Sequence, residues 1–506
     1  MLKVNAPYSS DRSMNRTYAA VDLGSNSFHL LVVREVDGSL HIIDKLRERV
    51  RLAGALGPDH MLDPNQWGLA MSTLEQFGQR LKDVPQHRVR VVGTNTLRKA
   101  INREAFNRKA DLALGHPIEV ISGTEEARLV YLGVAHDLED GGERRLVVDI
   151  GGGSTECIIG EGPTLLRADS LYMGCVEFTK RFFSDQEITT ERMNEAVVAA
   201  RLELGAVHRA YRNLGWHHSY GSSGTINAIQ AVLTQNGKSE HCITADGLEW
   251  LVSQLAEAKR TTKLRLKGLK PERAAVFPGG VCILSAVFRS LKIEKMVASS
   301  SALREGVIYD LLGRQVDDVR DQTVRRMRDR YAADPRHAKR VENLALTLCE
   351  RFADPFSLDS ERAAPFLRWA SQLHEIGKAV SYTGYHRHGA YLISNSDMPG
   401  FSHSEQKLVA AMVLGQRRRL HPDRLAELVG SGVHEAVRLC IILRLASRLN
   451  RTRSTKPRPP IDVQVDGKAI HLTFPEGWLD ARPLTQGDLV MEAQSIGSAG
   501  FELSWT

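Results

Sequence analysis

Two short stretches of this 506-residue chain end an apolar run on an acidic residue and follow it at once with small residues. In Asp22-Leu-Gly24-Ser25-Asn26-Ser27 and Asp149-Ile-Gly151-Gly152-Gly153-Ser154-Thr155 the apolar run reads as a strand and the small residues as a tight turn. Backbone N–H groups in such turns can approach phosphate oxygens, and a carboxylate opposite them can hold a hydrated Mg²⁺. A single Gly/Ser turn is usually structural. Two at equivalent places in a repeated plan point instead to a paired phosphate grip. A third, Gly221-Ser222-Ser223-Gly224-Thr225, has the strand-turn-helix form whose N–H groups offer an anion site. Glu125-Glu126 opens a helix, where acids complement the macrodipole and where one of the pair, turned inward, can accept a proton from attacking water. Glu156, on the strand leaving the second turn, can bind metal or orient water beside Asp149. Arg98, closing the turn Gly93-Thr94-Asn95-Thr96, can neutralise charge on a transferred phosphoryl group.

The elements that must position these residues repeat. Tyr18 to Val33 and Arg145 to Ile159 share one plan of strand, turn and strand, each followed by another apolar segment after a Gly-containing turn (Asp37-Gly38, and Gly160 to Pro163). Helix and strand then alternate. The first half reads as helix 63–82, strand 88–92, helix 95–108, strand 118–121 and helix 124–135. The second reads as helices 174–183 and 189–214, strand 217–220 and helix 225–233. Such a long period predicts two tandem α/β domains and not a solenoid. Beyond about Val316 helical patterns dominate (340–351, 364–373, 404–414, 433–450). Residues 451–460, with Lys456-Pro457-Arg458-Pro459-Pro460, read as a linker. Strands at 461–465 and 469–474, a helix at 487–494 and a last strand at 501–505 form an α+β tail. The expected domains are 1–137, 138–312, 313–450 and 451–506.

Composition agrees with a multidomain globular chain: 42% hydrophobic and 25% charged residues exclude global disorder. A net charge of +7 favours polyanionic partners, whether phosphates, nucleic acid or acidic lipid. The six scattered cysteines (Cys157, Cys175, Cys242, Cys282, Cys349, Cys440) form no metal-ligand spacing and read as the reduced thiols of a cytoplasmic protein. No spanning helix or signal segment is expected, which leaves peripheral contact with a membrane surface through basic patches. Aromatic RNA-binding motifs and zinc fingers are absent, so sequence-specific nucleic-acid recognition is not expected.

The ordered series Val21-Asp-Leu-Gly-Ser-Asn-Ser-Phe-His29, Val92-Gly-Thr-Asn-Thr-Leu-Arg98, Ile121-Ser-Gly-Thr-Glu-Glu-Ala-Arg128, Val148-Asp-Ile-Gly-Gly-Gly-Ser-Thr-Glu156 and Gly221-Ser-Ser-Gly-Thr225 resembles the exopolyphosphatase and guanosine pentaphosphate phosphatase family. The paired Asp-Leu/Ile-Gly loops resemble those of the wider superfamily of actin, sugar kinases and chaperone ATPases. The resemblance implies two actin-like (ribonuclease H-like) α/β domains with a cleft between them, then a helical domain and a small tail. It implies a homodimer and Mg²⁺-dependent hydrolysis, with a monovalent cation as a further cofactor. Asp22, Asp149 and Glu156 would hold the metal, and the loops 24–27, 151–155 and 221–225 the phosphates. Glu126 would be the base, with Glu125 second, and Arg98 would assist. The substrate expected first is inorganic polyphosphate, with guanosine pentaphosphate as the alternative. Further rivals are an ATP-using kinase or chaperone and a non-enzymatic polyphosphate or nucleotide sensor.

Basic residues Lys263, Arg265 and Lys267, further runs at 325–330 and 417–419, and His386, Arg387 and His388 would suit a polyphosphate path. In the helical domain, His337 and Leu373-His374-Glu375-Ile-Gly377 are similar to the His-Asp motif of metal-dependent phosphohydrolases. Glu375 stands where that motif has Asp. The longer carboxylate displaces its oxygens, so the domain is expected to keep this HD-like fold without its metal.

Overall fold

The computed structural model describes residues 16–36, 39–136, 138, 142–313, 318–454 and 459–506. The Asp37-Gly38 turn and residues 455–458 of the expected linker lie outside the described residues. Residues divide into two compact units, Met1–Val316 and Asp317–Thr506.

The first unit opens on an antiparallel meander of β1 (Arg16–Leu23), β2 (Phe28–Val36) and β3 (Ser39–Glu48). β4 (Val89–Gly93) pairs parallel with β1, and β5 (Ile118–Val120) parallel with β4, giving the order 3-2-1-4-5. A second meander follows, β6 (Arg144–Ile150), β7 (Thr155–Glu161) and β8 (Thr164–Leu171). β9 (His218–Ser222) runs parallel beside β6, β11 (Lys295–Ala298) runs parallel beside β9, and the short β10 (Ile243–Thr244) closes the edge. The order 8-7-6-9-11 thus repeats 3-2-1-4-5. Asp22 and Asp149 occupy equivalent ends of β1 and β6. Their cross-strand neighbours are His29 and Glu156, which register places on the same face of each sheet.

The connecting helices are α1 (Gly68–Leu81), α2 (Asn95–Lys99), α3 (Arg103–Leu114), α4 (Gly123–His136), α5 (Cys175–Phe182), α6 (Thr190–Gly205), α7 (His208–Leu214), α8 (Ser223–Gln235), α9 (Ala245–Ala258), α10 (Phe277–Leu291) and α11 (Leu303–Gly313). The single helix expected over 95–108 is two. Ala100 is extended, and the Asn102 side chain trades two 2.9 Å hydrogen bonds with the backbone of Leu62, fixing a corner where a helix would otherwise continue. The helix expected over 189–214 also breaks, after Gly205. Among the described residues one segment, Pro271–Leu291, is long and apolar enough to cross a membrane (mean hydropathy 1.6). Most of it is buried, and α10 supplies Val281, Ile283, Leu284 and Val287 to the core of the second half.

No break in packing occurs at the expected 137/138 boundary. Tyr18, Ala20, Val92 and Leu129 share one core with Val147, Ile158, Val307 and Ile308. α11, from the end of the second half, lies against α4 of the first, and Gly306 sits so close to the Leu129 carbonyl that a Cβ there would overlap it. The two halves are therefore locked along that line.

The second unit is helical: α12 (Val319–Arg330), α13 (Pro335–Phe352), α14 (Ser360–Leu373), α15 (Tyr385–Asn395), α16 (His403–Gly415), α17 (Pro422–Val429) and α18 (Val433–Leu449). Side chains of Asp318, Asp334 and Asp359 cap α12, α13 and α14, and Ser402 with Glu405 forms a capping box on α16. The hairpin of β12 (Asp462–Asp466) and β13 (Ala469–Thr473) follows, then α19 (Pro483–Gly497) and β14 (Glu502–Trp505), parallel to β13. The expected 450/451 boundary does not separate a second core. Phe352, Phe356 and Leu367 pack with Leu472 and Phe501, the rings of Phe356 and Phe501 lying 5.8 Å apart. The fully buried Arg444 of α18 also pairs with the fully buried Glu492 of α19.

Candidate active site

The ends of β1 and β6 open into a cavity of about 420 Å³ within the first unit. The first half lines it with Asp22, Gly24 to Ser27, Thr94, Asn95 and Glu126; the second supplies Asp149 to Ser154 and Ser223 to Thr225. Carbonyls in both loops are committed to the protein. Those of Ser25 and Asn26 accept from the amides of Ala53 and Arg51, and those of Gly151 and Gly152 accept from Cys175 and Val176 at the start of α5, all at 2.9 Å. Thr96 Oγ1 donates to Ser25 Oγ at 2.8 Å. Amide and hydroxyl donors are what such loops then offer a phosphate. A Cβ at Gly152 would stand 3.1 Å from that of Ser25, and one at Gly153 would overlap Asn95 Oδ1. Glycine at 152 eases the close approach of the two loops, and glycine at 153 makes room for Asn95.

Carboxylates crowd the floor. Asp22 Oδ2 meets His29 Nδ1 at 3.1 Å, while Oδ1 of Asp22 and Oδ1 of Asp149 are buried without a hydrogen-bond partner. Glu126 Oε2 accepts from Arg98 Nη1 at 3.0 Å, and Arg98 is itself steadied by the Ile121 carbonyl at 2.9 Å. Glu156, 1% exposed, does not itself line the cavity and accepts from Ser170 Oγ at 2.8 Å. Burial, then the charges of Glu126 and Asp22, push Asp149 up to about 7 against the pull of Ser223. Burial likewise raises Glu126, opposed by Arg98 and reinforced by Asp22. Glu156 is driven well above the ordinary range by burial, Glu126 and Asp149. Hard oxygens in this state can hold a divalent cation, which would relieve their repulsion. Asp22, Asp149 and Glu156 do not close to direct-ligation distances as a trio. Among the described residues the set of three acid, His or Cys ligands with all ligand atoms within 4.8 Å is His337, His374 and Glu375.

Several expected site residues lie elsewhere. Glu125 does not face the cavity. It is fully buried, bound by Arg128 at 2.7 and 2.8 Å and Arg90 at 3.5 Å, with Asp310 completing the cluster. A carboxylate so engaged cannot approach water at the loops. Arg98 does not line the cavity either; its guanidinium serves Glu126. Thr155 turns its hydroxyl to the Met173 carbonyl at 2.6 Å, away from any phosphate. Gly221 and Ser222 end β9 inside the fold, with Ser222 Oγ on the Ser301 carbonyl at 3.0 Å. Only Ser223, Gly224 and Thr225 of that motif reach the cavity, and Ser223 holds a left-handed φ of 80° rare for a serine. Lys263, Arg265 and Lys267 are exposed and line no described cavity; Arg265 caps the carbonyls of Thr262 and Leu264. His386 and Arg387 line a different cavity, of about 460 Å³ in the helical unit, with Arg417, Arg418, Arg419, His421 and Arg424; His388 does not. Among the described residues no acid lines that cavity, and burial followed by Arg387, Arg417 and Arg418 lowers His386 to about 4.

One group escaped the sequence reading. Lys45, Arg47, Arg273 and Arg304 line the same cavity as the loops, with Arg49 behind them. Glu272, 3.6 Å from Arg49, and Glu305, paired with Lys45 and Arg304, are the acids set against these five cations. Burial and the neighbouring guanidiniums lower both Arg47 and Arg273. Arg273 lies on the third loop, where a Cβ at Gly224 would overlap it. These cations come from β3, a turn before α10, and α11, so no sequence window contains the cluster.

Residues 31–315 match the Ppx/GppA phosphatase family model, and residues 319–493 the model for Ppx/GppA phosphatase, domain III. The chain belongs to the Ppx/GppA phosphatase family. A family relative from Aeromonas hydrophila, named guanosine-5'-triphosphate,3'-diphosphate pyrophosphatase, is 41% identical over 487 residues, spanning 96% of this chain and 97% of the relative. A Vibrio cholerae protein of the same name is 39% identical over 96% of this chain and 97% of its own length. Among solved structures, the Aquifex aeolicus PPX-GPPA enzyme covers 58% of this chain and 99% of its own at a TM-score of 0.50 and 26% identity. An exopolyphosphatase from Cytophaga hutchinsonii covers 59% of this chain and 98% of its own, with a TM-score of 0.54 and 23% identity, a likeness of fold.

Proposed function

We propose that this Ppx/GppA phosphatase hydrolyses the terminal 5' phosphoanhydride of guanosine-5'-triphosphate,3'-diphosphate, releasing orthophosphate. The observation that carries the choice is the cationic cluster of Lys45, Arg47, Arg273 and Arg304 in the cavity that holds the phosphate loops. In this reading a 5'-triphosphate would be held at the loops, and the second phosphate group of the substrate would meet the cationic wall that this cluster supplies. The full-length relatives near 40% identity carry the same name, which supports this reading over inorganic polyphosphate, the substrate expected first from sequence. Polyphosphate stays second, favoured by the acid-free basic cavity of the helical unit.

In this reading the terminal phosphate sits between Gly24–Ser27 and Gly151–Ser154. Glu126 accepts a proton from water as its oxygen bonds to the terminal phosphorus in line with the bridging oxygen, which leaves with the nucleoside product. Arg98 orients the Glu126 carboxylate and favours its ionised form against the push of burial. The orphan Oδ1 atoms of Asp22 and Asp149, with Glu156 beside them, fit a hydrated Mg²⁺, whose charge would offset that of the phosphates. Direct ligation by all three acids is not required, since Mg²⁺ keeps several waters and takes substrate oxygens.

The test is orthophosphate release from guanosine pentaphosphate, GTP and long-chain polyphosphate in parallel. The reading expects the highest kcat/KM for guanosine pentaphosphate. A higher value for polyphosphate would replace it with exopolyphosphatase, and equal values for GTP and the pentaphosphate would remove the role of the second cationic wall.

A further inference from the structure

In the helical unit His337 on α13 and His374 at the end of α14 are 3% and 1% exposed, their ring centroids 5.4 Å apart. Glu375 joins them, and the ligand atoms of the three all lie within 4.8 Å of one another. His337 Nδ1 and His374 Nε2 are buried without hydrogen-bond partners. Two imidazoles and a carboxylate so converged form a donor set suited to a transition metal. The motif these residues resemble holds a metal, whereas the sequence, with Glu375 in place of Asp, is expected to keep none.

The carboxylate, however, is already spent. Arg453 Nη2 lies 2.5 and 2.8 Å from the two oxygens of Glu375, and Lys378 Nζ lies 2.5 Å from Oε1. A divalent ion bonding Glu375 would have to displace these donors or sit beside two like charges, at an energetic cost that three ligands do not repay. Arg453 reaches further: its other terminal nitrogen donates to Asp334 Oδ2 at 2.9 Å, and Asp334 caps α13 through the amides of Arg336 and His337. One guanidinium thereby ties the segment after α18 to the starts of two histidine-bearing regions.

We propose that this cluster is a metal centre in which the ion's place and charge are taken by the chain's own cations, Arg453 foremost and Lys378 second. The guanidinium does structurally what a metal would do, gathering ligands from separate helices. The helical unit then binds no divalent metal at these histidines and adds no metal-dependent hydrolysis to the chemistry of the first unit. The inference is independent of which phosphoanhydride the first unit cleaves.

The experiment is a Co²⁺ titration of the full chain, with visible d–d absorption as the report of imidazole ligation and circular dichroism as the check on folding. Wild type is expected to develop no band that depends on His374. Arg453→Met with Lys378→Met is expected to gain one equivalent of Co²⁺, bound at least about tenfold tighter, the band disappearing when His374→Ala is added. Overturning results are a His374-dependent band in wild type, or a folded double variant that gains none. Should the double variant not fold, the wild-type titration decides alone: absence of the His374-dependent band supports the substitution and its presence refutes it.

Discussion

The cavity of the first unit and the histidine cluster of the second both gather carboxylates and cations, yet they balance them differently. At the loops, Asp22 Oδ1 and Asp149 Oδ1 stay buried and unpartnered, and Asp149 is pushed up to about 7. In the helical unit the oxygens of Glu375 are taken by Arg453 and Lys378, and against its burial His374 first, then Lys378 and Arg453, lower it to about 2. The same contrast recurs between adjacent residues. Glu125 is fully engaged by Arg128, Arg90 and their shared Asp310, while Glu126 has one arginine and an open cavity. Polar groups whose interactions are complete hold structure; groups left short of partners in a cavity are ready to interact with a ligand.

The largest effect that could break this comparison is at Asp149. Asp149→Asn is expected to lower kcat about 10²–10³-fold. It should also alter stability, with a definite sign. Because the folded-state pKa of Asp149 lies above the ordinary value, stability without metal falls as pH rises from about 4 through about 7 and then levels. The variant should lose that slope in urea titrations, and Mg²⁺ should stabilise wild type more at pH 8 than at pH 6. A slope unchanged in the variant would show that Asp149 is not the strained group.

Next in size is Arg98→Met, expected to lower kcat about 10–100-fold. Arg98 opposes the upward push of burial on Glu126, so its removal should move the acid limb of the kcat profile to higher pH. A uniform loss with an unshifted limb would make Arg98 a substrate contact. Smaller again is Arg273→Ala, expected to raise KM for guanosine pentaphosphate about tenfold with kcat little changed and GTP hydrolysis unaffected. Equal effects on both nucleotides would move Arg273 to the 5' phosphates.

Much of this was legible in the sequence where the signal is local. The Asp-Leu/Ile-Gly turns and the repeated meander each occupy a few consecutive residues, and both the duplicated α/β plan and the loop positions follow from them. Three features were not. The Asn95–Arg108 helix breaks because Asn102 reaches Leu62, forty residues away. Thr155 and Ser222 belong to Gly/Ser motifs but sit where the strand turns them inward. Arg47, Arg273 and Arg304 meet only through the fold, and Arg453 finds Glu375 across the helical unit. Alternation along a chain shows which face a residue takes, and not what lies opposite.

The most direct measurement compares Glu126→Gln with Glu125→Gln, reading kcat and Tm together. Glu126→Gln is expected to lower kcat about 10²–10⁴-fold with Tm nearly unchanged. Glu125→Gln should leave the remaining enzyme's kcat within a few-fold of wild type while destabilising the fold by about 3–5 kcal/mol, since Arg90 and Arg128 lose the charge they are buried against. A Glu125 variant that is inactive at full stability, or a Glu126 variant that stays active, would contradict the account.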